Sequence, residues 1–211
     1  MKIKIAVLLI ILLMAVVLAG CVKSDEQEKI IPMEIISSKK AVLIIAFEGF
    51  QDFEYDETRR ILESSGVEVT VASSKKGSAV GKLGQQVEVD LTLDQVKPDD
   101  FDAIVFIGGP GASEYESDPL AHKLAQLAME QNKVLGAICL APTILAKAGV
   151  LENKRATVWS DPLAQEMIEI LKSQGADYTD EAVVIDGKLI TANGPSAAKE
   201  FGQKIVEALN K

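Results

Sequence analysis

Three short runs of apolar residues constrain the fold of this chain most strongly. Residues 41–46 (AVLIIA), 103–107 (AIVFI) and 134–138 (VLGAI) contain no polar or charged side chain. Runs of this length are typical of strands that are buried on both faces, as in a parallel sheet. Because such a sheet needs helices over both faces, the pattern indicates an α/β fold with a doubly wound, mostly parallel sheet.

The segments between and after these runs carry the signals of helices and weaker strands. Helical spacing and stop residues predict helices at about 53–65, 119–131, 142–149 and 196–209, and a helical stripe of Leu163, Met167, Ile170 and Leu171. Further strands are predicted at 67–72, 156–159, 182–185 and 189–192, the last two joined by an Asp-Gly turn. Alternating apolar residues at 87–93 predict a half-exposed strand in a small antiparallel hairpin beside the sheet.

The first 38 residues differ from the rest of the chain. Lys2 and Lys4 precede an apolar run at 5–18, and Leu-Ala-Gly-Cys follows at 18–21. This is the plan of a secretory signal and resembles a lipobox, so we expect cleavage after residue 20 and a lipid on Cys21. An uncleaved signal anchor is the alternative, because the run is only slightly short of a membrane span. Both place the domain on the extracytoplasmic side of a membrane.

Residues 21–38 follow the predicted cleavage site and are rich in charged side chains and serine. This composition is typical of a flexible tether between a lipid and a folded domain. We therefore divide the chain into a signal peptide (1–20), a lipidated tether (21–38) and one α/β domain (39–211). Two or more acyl chains would hold such a protein stably at a membrane.

Charge and residue inventory exclude several function classes. The formal net charge is −9, and no basic patch interrupts the acidic composition, which argues against nucleic acid as a partner. The chain has one histidine and no cysteine pair at zinc spacing, so we expect no metal. The turn at 108–111 (GGPG) lacks the residues of a P-loop or dinucleotide fingerprint. We therefore expect no cofactor.

Three features that can carry chemistry follow the ends of predicted strands. Glu54 lies just beyond the first strand, the glycine turn at 108–111 follows a central strand, and Cys139 lies at a strand-to-helix junction. Parallel strand ends share one side of a sheet, so the three could converge in one crevice. A helix N-terminus would favour the Cys139 thiolate, and N–H groups of Leu140 and of Gly108-Gly109 could hold an oxyanion.

Each candidate also has an ordinary structural interpretation. A buried free cysteine such as Cys139 often behaves as a small hydrophobic residue. Glu54 could be a first-turn helix carboxylate that interacts with the helix dipole. His122, the only histidine, lies in the middle of a predicted helix between polar neighbours and is interpreted as a surface residue. Taken singly, the residues leave these alternatives open.

The motifs in their order resemble the ThiJ/PfpI family of the class I glutamine amidotransferase-like superfamily. The resemblance rests on 107–111 (IGGPG) and 137–143 (AICLAPT), with 49–54 (GFQDFE) before them and 193–195 (NGP) after them. It extends from about residue 39 to residue 209. The resemblance implies a flavodoxin-like sandwich that is usually a homodimer.

The resemblance also implies roles for individual residues. The family's reactive cysteine corresponds to Cys139, and its partner glutamate, often protonated and donating to the sulfur, corresponds to Glu54. The oxyanion-type backbone groups correspond to Gly109 and Leu140. The histidine of the protease-like members would fall at Leu140, and that of the other branch at Trp159. His122 matches neither position, so a Cys–His dyad is missing within one chain.

The missing histidine separates the functional hypotheses. Without an adjacent base, acyl transfer loses a proton shuttle that is typically worth about 10²–10⁴-fold, so we expect weak peptidase activity. The first hypothesis is therefore glyoxalase or deglycase chemistry of Cys139 on small electrophiles. A non-catalytic redox-responsive or chaperone-like protein is one alternative, and a cysteine peptidase or amidase of the PfpI type is the other.

Overall fold

The computed structural model describes residues 39–161 and 165–211. The predicted signal peptide, the tether and Leu163 of the helical stripe lie outside these residues. The strands, numbered in chain order, are β1 (Lys40–Ile44), β2 (Glu48–Phe50), β3 (Glu68–Ser73), β4 (Gly77–Gly81), β5 (Gln86–Val89), β6 (Leu91–Thr92), β7 (Ala103–Phe106), β8 (Val134–Ile138), β9 (Arg155–Ala156), β10 (Asp177–Tyr178), β11 (Val183–Asp186) and β12 (Leu189–Ala192). The α-helices are α1 (Asp52–Ser64), α2 (Pro119–Glu130), α3 (Pro142–Lys147), α4 (Glu166–Ser173) and α5 (Ala198–Leu209).

A seven-stranded sheet forms the centre of the described residues. Its strand order is β11-β12-β8-β7-β1-β3-β6. All neighbouring strands run parallel except β11, which forms an antiparallel hairpin with β12 at one edge. The prediction of a doubly wound, mostly parallel sheet is therefore confirmed, as is the hairpin at the Asp186-Gly187 turn.

The apolar runs form the centre of this sheet because both of their faces are buried. In β1, Ile44 belongs to a core cluster that includes residues of α2, α3 and α4. Its neighbour Leu43 points to the opposite face and packs in a second cluster with residues of α1 and α5. Complete burial of such a side chain contributes about 1.5–3 kcal/mol. None of the helices in the described ranges is long and apolar enough to cross a bilayer.

The predicted strand at 87–93 is divided in two by Asp90. The first part, β5, pairs with β4 as the predicted small antiparallel hairpin, whereas β6 joins the main sheet beside β3. The Asp90 N–H donates to the Val71 carbonyl at 2.9 Å, and the Asp90 carboxylate accepts from the Val71 N–H at 2.9 Å. The side chain thus replaces a backbone acceptor and turns the chain, which alternation alone does not reveal.

The predicted strand at 156–159 is shorter than expected. Only β9 is regular, and it pairs with β10 in a separate two-stranded sheet. Beyond it, the Thr157 N–H donates to the Thr191 hydroxyl at 2.9 Å, and the Trp159 N–H donates to the Cys139 carbonyl at 2.8 Å. These residues bond to a side chain and a turn instead of to a strand, and this brings Trp159 beside Cys139.

The close packing of α5 on α1 generates a stability prediction. Gly202 of α5 faces α1, and a Cβ there would lie 3.0 Å from the Ile61 Cβ. We expect Gly202→Leu to lower the free energy of unfolding by about 1–3 kcal/mol, because the side chain would force the helices apart. Urea denaturation measures the change. Lys199→Leu, at an exposed position of the same helix, serves as the control, and equal stability of both variants would contradict the packing described.

Candidate active site

The backbone at Cys139 has an uncommon conformation. Cys139 has a φ of 63°, and the other non-glycine residues with positive φ in the described ranges are Asn132 and Asn153. Asparagine tolerates the left-handed region, whereas cysteine is strained there. The Cys139 N–H donates to the Ala192 carbonyl and its carbonyl accepts from the Trp159 N–H, both at 2.8 Å. Tertiary contacts therefore hold a sharp turn between β8 and α3 that resembles a nucleophile elbow.

The turn presents the Cys139 side chain to a small cleft. Cys139 is 8% exposed and lines an opening of about 250 Å³. Trp159 forms one wall of this cleft and is 37% exposed, while Gln51 and Lys82 approach from the other elements. A cleft of this volume admits a molecule of a few non-hydrogen atoms and no folded chain.

Glu54 lies beneath the cleft in the first turn of α1, with none of its surface exposed. Its Oε2 accepts a hydrogen bond from the Gly108 N–H at 3.1 Å. Its Oε1 is buried and meets no hydrogen-bonding geometry with another described group. Burial raises the pKa of Glu54 to about 7, although the Cys139 side chain, the Gly108 N–H and the Lys82 ammonium oppose the rise. Glu54 therefore exchanges a proton near neutral pH.

Gly108 allows the thiol and the carboxyl to approach each other. A Cβ at this position would lie 2.5 Å from the Cys139 Cβ and 2.7 Å from Glu54 Oε2. Its carbonyl accepts from the Gln51 N–H at 2.9 Å, which ties the glycine turn to the start of α1. Glycine is required here because any side chain would collide with Cys139, Glu54 and the carbonyl oxygen of Ile138.

The titration of Cys139 depends on the charge of Glu54. Burial raises the pKa of the thiol to about 12, and a charged Glu54 adds to the rise. The N–H groups of Gly109 and Leu140 act in the opposite direction because they stabilise the thiolate. Two buried anions so close repel each other, so the pair loses its first proton near pH 7, mainly from Glu54, and its second only at high pH. At neutral pH the thiolate is the minor form of the pair, in which the carboxyl holds the remaining proton.

The predicted oxyanion donors divide into two groups. The N–H groups of Gly109 and Leu140 interact with the Cys139 sulfur, so they face the position where a substrate oxygen would develop charge. The N–H of Gly108 donates to Glu54 instead, so it serves the carboxyl rather than a substrate. Gly109 has a φ of 105°, and a Cβ there would lie 2.5 Å from the Gln51 N. A non-glycine residue would therefore distort the turn.

The structure brings together Cys139, Glu54 and the glycine turn, but not the histidine. His122 lies on α2, where its Nε2 is 2.9 Å from the carbonyl oxygen of Glu116, and it does not line the cleft. At Cys139 the cleft presents the Trp159 ring and Leu140 instead. In the described ranges, no group of three or more His, Cys, Asp and Glu side chains has the geometry of a metal site.

Sequence reasoning missed Gln51 and Lys82 in the cleft. The glycines at 81 and 84 predict a turn around Lys82, but nothing in the sequence shows that this turn folds over the start of α1. Gln51 caps α1, since its side chain accepts from the Phe53 N–H at 3.1 Å. Its position directly before the helix is a detectable N-cap signal, although glutamine is not a preferred N-cap residue.

Comparison with known proteins shows relatives over the whole domain. The chain is 41% identical to an uncharacterized protein of Methanocaldococcus jannaschii over 99% of this chain and 98% of that protein. It is 34% identical to a deglycase of Pyrococcus abyssi, covering 80% of this chain and 98% of the relative. It is 31% identical to a glutathione-independent glyoxalase of Caenorhabditis elegans, covering 82% and 90% of the two chains.

A solved structure and a family model agree with these relatives. A crystal structure of a ThiJ/PfpI domain protein from Brachyspira murdochii superposes with a TM-score of 0.77 at 33% identity, covering 81% of this chain and 96% of that one. The model of the DJ-1/PfpI family matches residues 39–208. The predicted family resemblance is therefore confirmed, and this chain belongs to the DJ-1/PfpI family.

Proposed function

We propose that this protein is a thiol-dependent enzyme that acts on small reactive dicarbonyls by glyoxalase- or deglycase-type chemistry. The observation that carries the proposal is the strained Cys139 turn, which sets a thiol at a cleft of about 250 Å³ directly beside a carboxyl that titrates near pH 7. The relatives named as a deglycase and a glyoxalase support this class of activity.

The residues at the cleft suggest how the thiol would add to an aldehyde and where its proton would go. The Cys139 sulfur forms a bond to the aldehyde carbon while Glu54 accepts the thiol proton. The electron pair of the carbonyl double bond moves onto oxygen, where the Gly109 and Leu140 N–H groups stabilise the negative charge. Glu54 then returns its proton to that oxygen, giving a hemithioacetal. The step needs one proton carrier, and the pKa of Glu54 near 7 suits both directions of transfer.

The alternatives differ in what they require at the cleft. Peptidase or amidase action of the PfpI type needs a base to protonate a leaving amine, and His122 lies on α2 outside the cleft. A redox-responsive or chaperone-like role needs an oxidisable thiol but no turnover, and the absence of an imidazole from the cleft lining favours it. Dicarbonyl addition needs only the thiol, one carboxyl and oxyanion donors, so it is the activity that these residues suit best.

We further propose that the protein is exported, anchored by a lipid on Cys21, and a homodimer. The sequence at 1–21 supports the anchor. For the dimer, the support is two exposed apolar side chains on segments that are hydrogen-bonded to each other. Phe53 is 51% exposed and Leu83 is 74% exposed, and the Leu83 N–H bonds to Asp52, which precedes Phe53. A second copy of the chain would remove these side chains from water.

The catalytic proposal predicts the behaviour of two substitutions. Cys139→Ala should abolish consumption of methylglyoxal, because the attacking atom is lost. Glu54→Gln should lower kcat by about 10²–10⁴-fold, because the amide cannot carry the proton. A coupled spectrophotometric assay of the purified protein measures both rates, with His122→Ala as a control expected to match wild type. Unchanged turnover in Cys139→Ala would refute the mechanism, and alkylation of Cys139 without any turnover would favour the redox-responsive alternative.

The coupled titration of Glu54 and Cys139 predicts how the alkylation rate of the thiol varies with pH. Alkylation of Cys139 by iodoacetamide should rise with a midpoint near pH 7 and then level off, because the pair loses its first proton there. In Glu54→Gln this step should disappear, and the rate should climb steadily with pH as an isolated buried thiol ionises. Peptide mass spectrometry measures the rate at each pH. A step near pH 7 that survives in Glu54→Gln would contradict the coupling.

The anchoring proposal predicts a change in mass and location. In an expressing cell, the wild-type chain should sediment with membranes and lack residues 1–20, with added lipid mass on Cys21. Cys21→Ser should retain residues 1–20 and carry no lipid, because the modified thiol is absent. Fractionation with intact-mass measurement tests this. Identical masses for both proteins, apart from the substituted atom, would instead indicate an uncleaved signal anchor.

A further inference from the structure

The cleft at Cys139 contains one residue whose role the mechanism leaves open. Among the described residues that line the cleft, Lys82 is the one with a charged side chain, and the others are Cys139 and glycine, proline, apolar or amide residues. The Lys82 ammonium also lowers the pKa of Glu54, so its field reaches the buried carboxyl. The Lys82 side chain is exposed and forms no ion pair with another residue of the described ranges, which leaves the ammonium available to a ligand.

The turn that carries Lys82 is fixed to the start of α1. The Lys82 N–H donates to the Phe50 carbonyl at 2.8 Å. The next residues bond to one carboxylate, since Asp52 accepts from the Leu83 N–H at 2.9 Å and from the Gln85 N–H at 3.0 Å. Asp52 is 7% exposed, so these bonds are shielded from water. Asp52 lies two residues before Glu54 in α1, so the backbone of the turn that carries Lys82 is fixed beside the helical turn that carries Glu54.

A cation at this place has a chemical consequence for ligands. The net charge of the chain is −9, so an anionic small molecule would meet a repulsive field over most of the surface. Lys82 places a positive charge among the residues that line the cleft. Because Lys82 and Cys139 line the same cleft of about 250 Å³, a small molecule bound at Cys139 lies in the cleft to which Lys82 belongs.

We propose that Lys82 binds an anionic group of the substrate, so that Cys139 acts on small aldehydes and dicarbonyls that carry a carboxylate. The proposal rests on the proposed function in taking Cys139 as the attacking thiol. With glyoxylate as the simplest example, the sulfur bonds to the aldehyde carbon and the thiol proton ends on the former carbonyl oxygen. The carboxylate takes no part in bond changes and pairs with the Lys82 ammonium.

Two haloacetyl reagents of nearly equal size test the charge at the cleft directly. Iodoacetate and iodoacetamide both form a bond from the Cys139 sulfur to carbon and release iodide, but only the first is an anion. The ratio of their rates cancels any change in thiolate population, because both attack the same thiolate. In Lys82→Gln we expect this ratio to fall about three- to tenfold, and in Lys82→Arg we expect it to stay near wild type.

The control is Lys123→Gln, which makes the same charge change at an exposed site of α2 that does not line this cleft. Its ratio should equal that of wild type. The full chain is used, and the Cys139 peptide is followed by mass spectrometry so that Cys21 does not interfere. An equal ratio in Lys82→Gln and wild type, or an equal fall in Lys123→Gln, would overturn the proposal.

Protection by aldehydes extends the test to substrates. Glyoxylate should slow iodoacetamide labelling of wild-type Cys139 at lower concentration than methylglyoxal, and this preference should vanish in Lys82→Gln. Equal protection by the two aldehydes in wild type would overturn the role of Lys82. It would not count against the proposed turnover of dicarbonyls by Cys139. A Lys82-dependent ratio without methylglyoxal turnover would support the anion site and count against the proposed function. Absence of Cys139 labelling by both reagents would overturn both.

Discussion

The left-handed backbone at Cys139 is the constraint on which the rest of the site depends. A residue other than glycine or asparagine enters this region at a cost of about 1–3 kcal/mol, so the surrounding structure must maintain it. Two hydrogen bonds of 2.8 Å do so, one to Ala192 of β12 and one from Trp159. The turn is therefore bonded to β12, which also pairs with β8. Helix α3 begins at Pro142, shortly after the turn. Without this turn, the sulfur would lie within the sheet and face neither the cleft nor Glu54.

The site also depends on the burial of the Glu54 carboxyl beside the Cys139 thiol. Glu54 is wholly buried, and the Cys139 side chain, the Gly108 N–H and the Lys82 ammonium offset only part of the cost of charging it. Its pKa near 7 follows from that balance. Since the carboxyl and the thiol resist being charged together, each sets the charge of the other. The glycine at 108 is what permits the approach, and so a backbone feature of the β7 turn controls the electrostatics of the site.

Much of the fold was predictable because its signals are local. Apolar runs marked β1, β7 and β8, and the Asp-Gly turn marked the hairpin of β11 and β12. The rule that parallel strand ends share one side also indicated that Glu54, the glycine turn and Cys139 could meet. The strand at 156–159 was predicted too long, because tertiary bonds to Thr191 and Cys139 take its N–H groups, and such bonds leave no periodic pattern.

The site itself was less predictable where long-range contacts decide it. The positive φ of Cys139 and the place of Lys82 over α1 depend on hydrogen bonds between residues far apart in sequence, such as Leu83 with Asp52. The family resemblance supplied the roles of Cys139 and Glu54, whereas the residues alone left both open. The missing histidine was evident from the sequence, and the structure adds that Trp159 lies at the cleft.

The central claim is that the buried Glu54 carboxyl beside Cys139 takes up and releases a proton near neutral pH. Infrared difference spectroscopy tests it most directly, because the C=O stretch of a protonated carboxyl is separate from the bands of a carboxylate. The account predicts a protonated carboxyl band that titrates near pH 7 in wild type, is absent in Glu54→Gln, and shifts its midpoint in Cys139→Ala. A Glu54 that is already fully ionised at pH 5, with or without the thiol, would contradict the account.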